Sequence, residues 1–239
     1  MEVLKVEKLS KKIKNKQILD NISFSVKQGE IYGFLGPNWA WKTTTMKCIM
    51  EFVSYNSGNI EIFKTKWLTL EDKKKIGFMP ENTYLYKHLK TEEFLEFNAK
   101  FFIKDKKEIN KKIEKVLKKV GLEHAKWKYL KEFSKGMLQR VGLAQAIINN
   151  PKLVFLDEPM SGLDPIGRKM VKDLIFELKQ NKTTVFFNTH ILSDVESICD
   201  RVSIINKWSL IVEWQNVKEI LEKQSLEDFF IEKVKESEK

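Results

Sequence analysis

Lys42 and Thr43 are the first residues whose type and spacing suggest chemistry. Lys42 directly precedes, and Thr43 opens, a run, TTTMKCIM, that reads as a helix, and both come after a compact apolar run, IYGFLG, that reads as a strand ending in Gly36. The stretch between is GPNWAWKTT, residues 36–44. A strand, a tight loop and a helix opening on Lys-Thr form a phosphate site with a mechanism. The loop residues Gly36, Pro37, Asn38, Trp39, Ala40, Trp41, Lys42, Thr43 and Thr44 wrap the phosphates, which the backbone N–H groups of all but Pro37 and the helix N-terminus hold. Lys42 reaches the β and γ phosphates, and the Thr43 hydroxyl holds Mg²⁺. In the pattern G-x-x-x-x-G-K-[ST], however, the second glycine position is Trp41, and Trp39 stands two residues earlier.

Further along, LVFLDEP places Asp157 and Glu158 at the carboxyl end of a buried strand, the end where ligands of open α/β sheets bind. Asp157 suits the Mg²⁺ shell and Glu158 suits polarising an attacking water. FFNTH repeats the arrangement on another strand and ends in His190, beside the expected γ-phosphate. His88 and His124 receive no role.

These groups need elements to position them. The first thirty residues alternate in short apolar steps around a Gly29 turn and read as strands, as does GNIEIF. From Thr91 to about Asn150 the chain reads as helical. Phe94, Leu95, Phe97, Phe101 and Phe102 recur at helical spacing, as do Ile113, Val116, Leu117 and Val120, and both sets read as core. Strands LVFL, TTVFFN and RVSII then alternate with helices from about Gly167 to Lys179 and over ILSDVESIC. Such alternation predicts a parallel sheet with helices on both faces. The expected class is α/β: a P-loop NTPase core with a parallel sheet, a small antiparallel β portion near the N-terminus and a helical subdomain at about 85–148. Residues 1–216 are expected to form the ATPase domain and 217–239 a helical tail.

A net charge of +10 on 239 residues raises the question of nucleic acid. The basic set is nearly all lysine, with only Arg140, Arg168 and Arg201 as arginines, and the lysines are interleaved with glutamate, as in KKEINKKIEKVLKK. That pattern is a solvated helix face, and no nucleic-acid partner is expected. The two cysteines, Cys48 and Cys199, read as small buried hydrophobes. MEVLKVEKLS is too acidic for a signal peptide, and no apolar run reaches the ~18–20 residues of a membrane span.

The order of these motifs resembles that of the ATP-binding subunits of ABC transporters over nearly the whole chain. GEIYGFLGPN is similar to the run leading into the family's Walker A loop. FSKGMLQR resembles the signature, usually LSGGQ followed by QR, and SGLDP resembles the D-loop. IGFMPEN resembles the Q-loop, with Glu81 in place of the usual Gln, and His190 corresponds to the switch histidine. The resemblance implies ATP as ligand with Mg²⁺ held by Thr43, Asp157 and Glu81, and catalysis by Glu158, His190 and Lys42. It implies Ile13 at the adenine-stacking position, where the family has an aromatic. It implies a head-to-tail homodimer with ATP capped in trans by Ser134 and Gly136. Lys135 and Met137 replace the usual Gly and Gln of the signature. It further implies a separate integral membrane permease, contacted by the helical subdomain and the Q-loop, and a peripheral place on the cytoplasmic face of the membrane. A soluble ABC protein of translation or repair is the competing class. Those relatives carry two ATPase domains or a long coiled-coil insertion, which this sequence lacks.

The tryptophans conflict with this. Glycine at 39 and 41 would supply φ > 0 and let the backbone approach phosphate; an indole crowds the ligand. Trp208 and Trp214 also stand on positions typically Gly in the family, Trp208 in an expected tight turn, and Trp67 and Trp127 lie in polar loop contexts. The chain has 10 Gly and 6 Trp, and together they come to about the ~7% average glycine share. Two readings stand. The tryptophans are glycines in the living protein, encoded by UGA, one base from GGA and read as glycine in some bacterial lineages; or the subunit is degenerate at its nucleotide site.

Overall fold

The computed structural model describes residues 1–83 and 85–238. Lys239, the end of the expected tail, lies outside them. The chain forms two compact units, residues 1–69 with 184–239 and residues 70–183.

In the first unit β1 (Glu2–Ile13) pairs antiparallel with β2 (Lys16–Lys27) and with β4 (Ser57–Ile62). This is the small antiparallel portion. The strand β3 (Ile31–Leu35) has all five residues buried, as a strand covered on both faces requires. It runs parallel to β7 (Thr184–Thr189) on one side and β8 (Arg201–Asn206) on the other. An antiparallel β9 (Ser209–Asn216) follows β8. Phe24 of β2 packs on Phe34 and Tyr32 of β3 and on Phe186 of β7, with ring centroids 5.4, 5.7 and 5.8 Å apart, and so joins the antiparallel strands to the parallel ones. Helix α1 (Lys42–Ile49) leaves β3, and α7 (Leu192–Ile198) leaves β7. The tail is two helices, α8 (Val217–Leu221) and α9 (Leu226–Ser237). They bury Val217, Ile220, Leu226 and Phe229 within this unit.

A buried ion pair anchors β3 at its start. Arg201 donates to both carboxylate oxygens of Glu30 at 2.9 and 2.8 Å and to the Ser25 carbonyl at 2.8 Å. Its guanidinium lies over Tyr32, which it faces in register, and over the Trp214 ring at 4.7 Å. The pair is nearly enclosed, so the remaining hydrogen bonds of the guanidinium matter as much as the charge.

The second unit holds the parallel pair β5 (Ile76–Met79) and β6 (Leu153–Asp157), the short α2 (Leu70–Lys73), and helices α3 (Thr91–Ala99), α4 (Lys106–Lys119), α5 (Lys135–Ile147) and α6 (Pro165–Gln180). The expected single helical stretch is broken by turns around residues 100–105 and 120–134. Asp105 caps α4, accepting from Glu108 N at 2.7 Å, and Asp164 caps α6 with Pro165 in the first turn, two residues before the expected start. Helix α4 buries Ile109, Ile113, Val116 and Leu117 and turns Lys107, Lys111, Lys115 and Lys118 to solvent, the solvated face expected. One expectation fails. Phe94 and Leu95 are buried, but Phe97, Phe101 and Phe102 are exposed. They lie on the outer side of α3 and the turn after it, and Phe97 packs edge-on against Tyr86 and Phe101 rather than into a core.

Candidate functional site

The phosphate loop lies at the carboxyl end of β3. A Cβ on Gly36 would collide with the Ile205 carbonyl oxygen and approach Ile205 Cγ2 to 2.8 Å, so β8 itself demands glycine there. Pro37 O accepts from Ala40 N at 3.0 Å and closes the turn, and Ala40 is fully buried. Trp41 caps α1 in the left-handed region, φ 57 and ψ 24, with no side-chain capping bond, and no acidic residue lies in the first turn. No acidic residue of the first turn therefore competes for the N-terminal amides of α1. Lys42 is buried, its ammonium donating to Gly36 O at 2.6 Å and Pro37 O at 3.1 Å. The lysine lies folded over the loop it would open for phosphate.

Trp39 points largely to solvent, and Trp41 is half-buried with Lys16 Nζ 5.5 Å from its ring centroid. That contact brings the β1–β2 hairpin end beside the loop. Ile13, which pairs with Lys16, is half exposed there. On the other side of β3, Leu35 is in register with Thr189. Gly36 and His190 therefore leave neighbouring strands at the same end, and His190 is exposed.

In the second unit Met79 is in register with Leu156. Glu81 and the Asp157–Glu158 pair consequently emerge from adjacent strand ends, Glu81 exposed and both of the others buried. Glu158 takes φ 50, a left-handed conformation that costs a non-glycine residue about 1–3 kcal/mol and gathers at functional sites. Its carbonyl accepts from Gln139 Nε2 at 3.2 Å and Ser161 N at 3.1 Å, which hold the turn. Gln139, within FSKGMLQR, thereby reaches the turn after β6, a link that spacing alone does not reveal. Ser134 caps α5, its hydroxyl accepting from Met137 N at 3.2 Å, and Gly136 lies against Leu163, where a Cβ would come to 3.2 Å from Cδ2.

The site residues so fall into two sets. Ile13, residues 36–44 and His190 are gathered at one strand end of the first unit. Glu81, Ser134, Gly136, Asp157 and Glu158 belong to the second. Among the described residues no group of three or more His, Cys, Asp or Glu could hold a metal ion. A hydroxyl such as Thr43 and a carboxylate such as Asp157 are hard oxygen donors. Each is the kind of ligand that Mg²⁺ takes beside waters and phosphate oxygens.

A prediction concerns the loop's foundation. Gly36→Ala should cost about 1–3 kcal/mol of stability, because a backbone oxygen blocks the added methyl. Thermal unfolding reads this directly; an unchanged midpoint would show that the loop yields.

The sequence profile of the family described as ABC transporter matches residues 19–161. An uncharacterized ABC transporter ATP-binding protein of Synechocystis is 45% identical over 195 residues, 81% of this chain and 55% of that protein. The bacitracin transport ATP-binding protein BcrA of Bacillus licheniformis is 40% identical over 88% of this chain and 69% of its own. The chain spans 55% and 58% of the length of the first two curated relatives it matches. Among solved structures, an ATP-binding subunit of an ABC transporter aligns with TM-score 0.87 and 28% identity over 97% of this chain and 99% of that one. CbiO1 of Clostridium perfringens, part of the CbiONQ transporter complex, aligns with TM-score 0.82 and 27% identity over 94% and 92%. The motif order, the architecture and this profile agree, and the chain belongs to the ABC transporter ATP-binding proteins.

Proposed function

We propose that this chain binds and hydrolyses ATP to power a separate membrane permease, and that it works as a head-to-tail pair. The observation that carries the reading is the phosphate loop between β3 and α1, with Lys42 buried at an N-terminus free of acidic residues. In this reading the loop amides and Lys42 hold the phosphates, and Ile13 lies against the adenine. Thr43, Asp157 and Glu81 hold Mg²⁺, which when bound neutralises charge on the β and γ oxygens. Glu158 takes the proton of the attacking water, and His190 orients the γ-phosphate. Ser134 and Gly136 cap the nucleotide of the second copy. Among the described residues no helix is long and apolar enough to cross a membrane. The exposed aromatics Tyr86, Phe97 and Phe101 form a face that a permease would cover, which supports a peripheral place on the cytoplasmic face of the membrane.

We also propose that the tryptophans are glycines in the working protein. A tryptophan is on average highly buried. Here Trp39, Trp67, Trp127, Trp208 and Trp214 are 45–68% exposed, and the sixth, Trp41, takes a positive φ. The turn at Trp208 favours the idea less than expected, because the left-handed residue there is Lys207, and Trp214 lies within β9 rather than in a turn. The codons and the intact mass of the native protein decide between glycine and a degenerate subunit; UGG at codons 39 and 41 would sink the recoding.

Purification from membranes tests the transport reading. The chain should co-purify with an integral membrane protein, and its ATPase activity should change with that partner present. Recovery on ribosomes or DNA with no membrane partner would refute it.

A further inference from the structure

We infer that the outer face of α4 docks on the anionic phospholipid headgroups of the membrane that holds the permease, an inference that rests on the peripheral place proposed above.

Charge carries it first. Helix α4 has seven lysines against two glutamates, so half of the chain's net charge of +10 falls on these 14 residues. The flanks of the helix are neutralised. Lys112 pairs with Glu108 at 3.6 Å, Lys126 with Glu114 at 3.4 Å and Lys119 with Glu177 at 2.8 Å. The outer row is not. Lys107, Lys111, Lys115 and Lys118 are all exposed, and among the described residues no carboxylate lies within ion-pair distance of any of them. Steps of four, four and three residues set the row on one side of the helix, opposite the buried Ile109, Ile113, Val116 and Leu117. At about 1.5 Å per residue the row is roughly 16 Å long. Like charges at this spacing destabilise a helix, and an anionic surface removes that repulsion.

Position carries it second. The turn before α4 exposes Phe101 and Phe102. Phe101 belongs to the aromatic face that a permease would cover, and Lys104, also exposed, follows it toward the row. A permease seated on that face therefore brings the start of α4 toward the bilayer around it. Composition favours lipid over nucleic acid. The row has no arginine, whose planar fork reads bases and phosphates in fixed geometry, whereas lysine is a compact point charge suited to a fluid sheet of headgroups.

The test is flotation of the full chain with vesicles of phosphatidylglycerol and phosphatidylcholine, against phosphatidylcholine alone. The chain should bind the anionic vesicles only, and less as salt rises. Each lysine at an anionic surface is worth about fivefold in partitioning, so Lys107→Gln, Lys111→Gln, Lys115→Gln and Lys118→Gln together should lower it about a hundredfold or more. Glutamine at the scattered, exposed Lys27, Lys152, Lys218 and Lys223 removes the same charge and should cost much less. Both variants should keep the thermal midpoint of the parent, since every replaced side chain is exposed. Equal binding to both kinds of vesicle, or equal losses in the two variants, overturns the docking face. Tighter binding to a DNA duplex than to the vesicles, lost with the same α4 lysines, gives the row to nucleic acid and overturns the lipid. A chain that ignores anionic vesicles yet co-purifies with an integral membrane protein overturns the role of α4 alone. A chain that does neither overturns the peripheral reading as well.

Discussion

The Trp39→Gly/Trp41→Gly chain should bind ATP·Mg²⁺ at least about a hundredfold more tightly than the chain carrying both tryptophans. In the proposed site the loop would hold phosphate through backbone N–H groups, and each hydrogen bond to a charged group is worth about 1.5–3 kcal/mol. An indole that shields one or two of them forfeits one to several powers of ten. The two positions act differently. Trp39 is largely solvent-exposed, so it fills no cavity, and its harm lies in crowding an incoming nucleotide. Trp41 is held at φ 57 in the N-cap of α1, a conformation glycine adopts without the Cβ penalty. Trp41→Gly should therefore recover more binding than Trp39→Gly. It should not lower stability, because the strain it relieves offsets the lost contact with Lys16. Lys42 must also leave the Gly36 and Pro37 carbonyls to reach phosphate, and a loop without the Trp41 ring gives it that freedom. Calorimetric titration of the four chains reads all of this. Equal, tight binding by the tryptophan form would overturn the account of the loop, whatever the codons say.

The strand ends that carry the candidate residues were legible because each motif couples a buried apolar run to a polar residue just beyond it. IYGFLG, LVFLDEP and TTVFFNTH all appear as β-strands followed by the expected group. What periodicity could not supply is the partner of a face. Phe94 and Phe97 share one helical pattern, yet one is buried and the other exposed, since spacing marks a face without saying whether this chain covers it. Backbone conformation was equally hidden. Nothing in the letters DEP announces that Glu158 sits at φ 50, or that Gln139, nineteen residues earlier, donates to its carbonyl. The turn at Lys207–Trp208 shows the same limit: a tight turn at Trp208 was expected, but that Lys207 is the residue turning left-handed was not legible.

Glu158→Gln in the Trp39→Gly/Trp41→Gly chain should leave ATP binding intact and slow hydrolysis by about 10²–10⁴-fold, the range of a general base. At about 1.36 kcal/mol per tenfold, the barrier rises by roughly 3–5 kcal/mol. The side chain is nearly enclosed and glutamine has its shape, so packing should survive. Its backbone turn is held by Gln139 and by Ser161 N through the carbonyl, which the substitution does not touch. The lost quantity is the ability to take a proton, which is needed in the transition state and not for binding, so the turnover number falls while affinity holds. Gln139→Ala supplies the contrast. It removes a donor to the Glu158 carbonyl and should loosen the turn, giving a smaller rate loss with the pH profile kept, because the base remains. Single-turnover measurements with both variants separate the two effects. Undiminished turnover in Glu158→Gln would assign the base elsewhere, and a Gln139→Ala loss as large as that of Glu158→Gln would mean that the turn, rather than the carboxylate, limits the reaction.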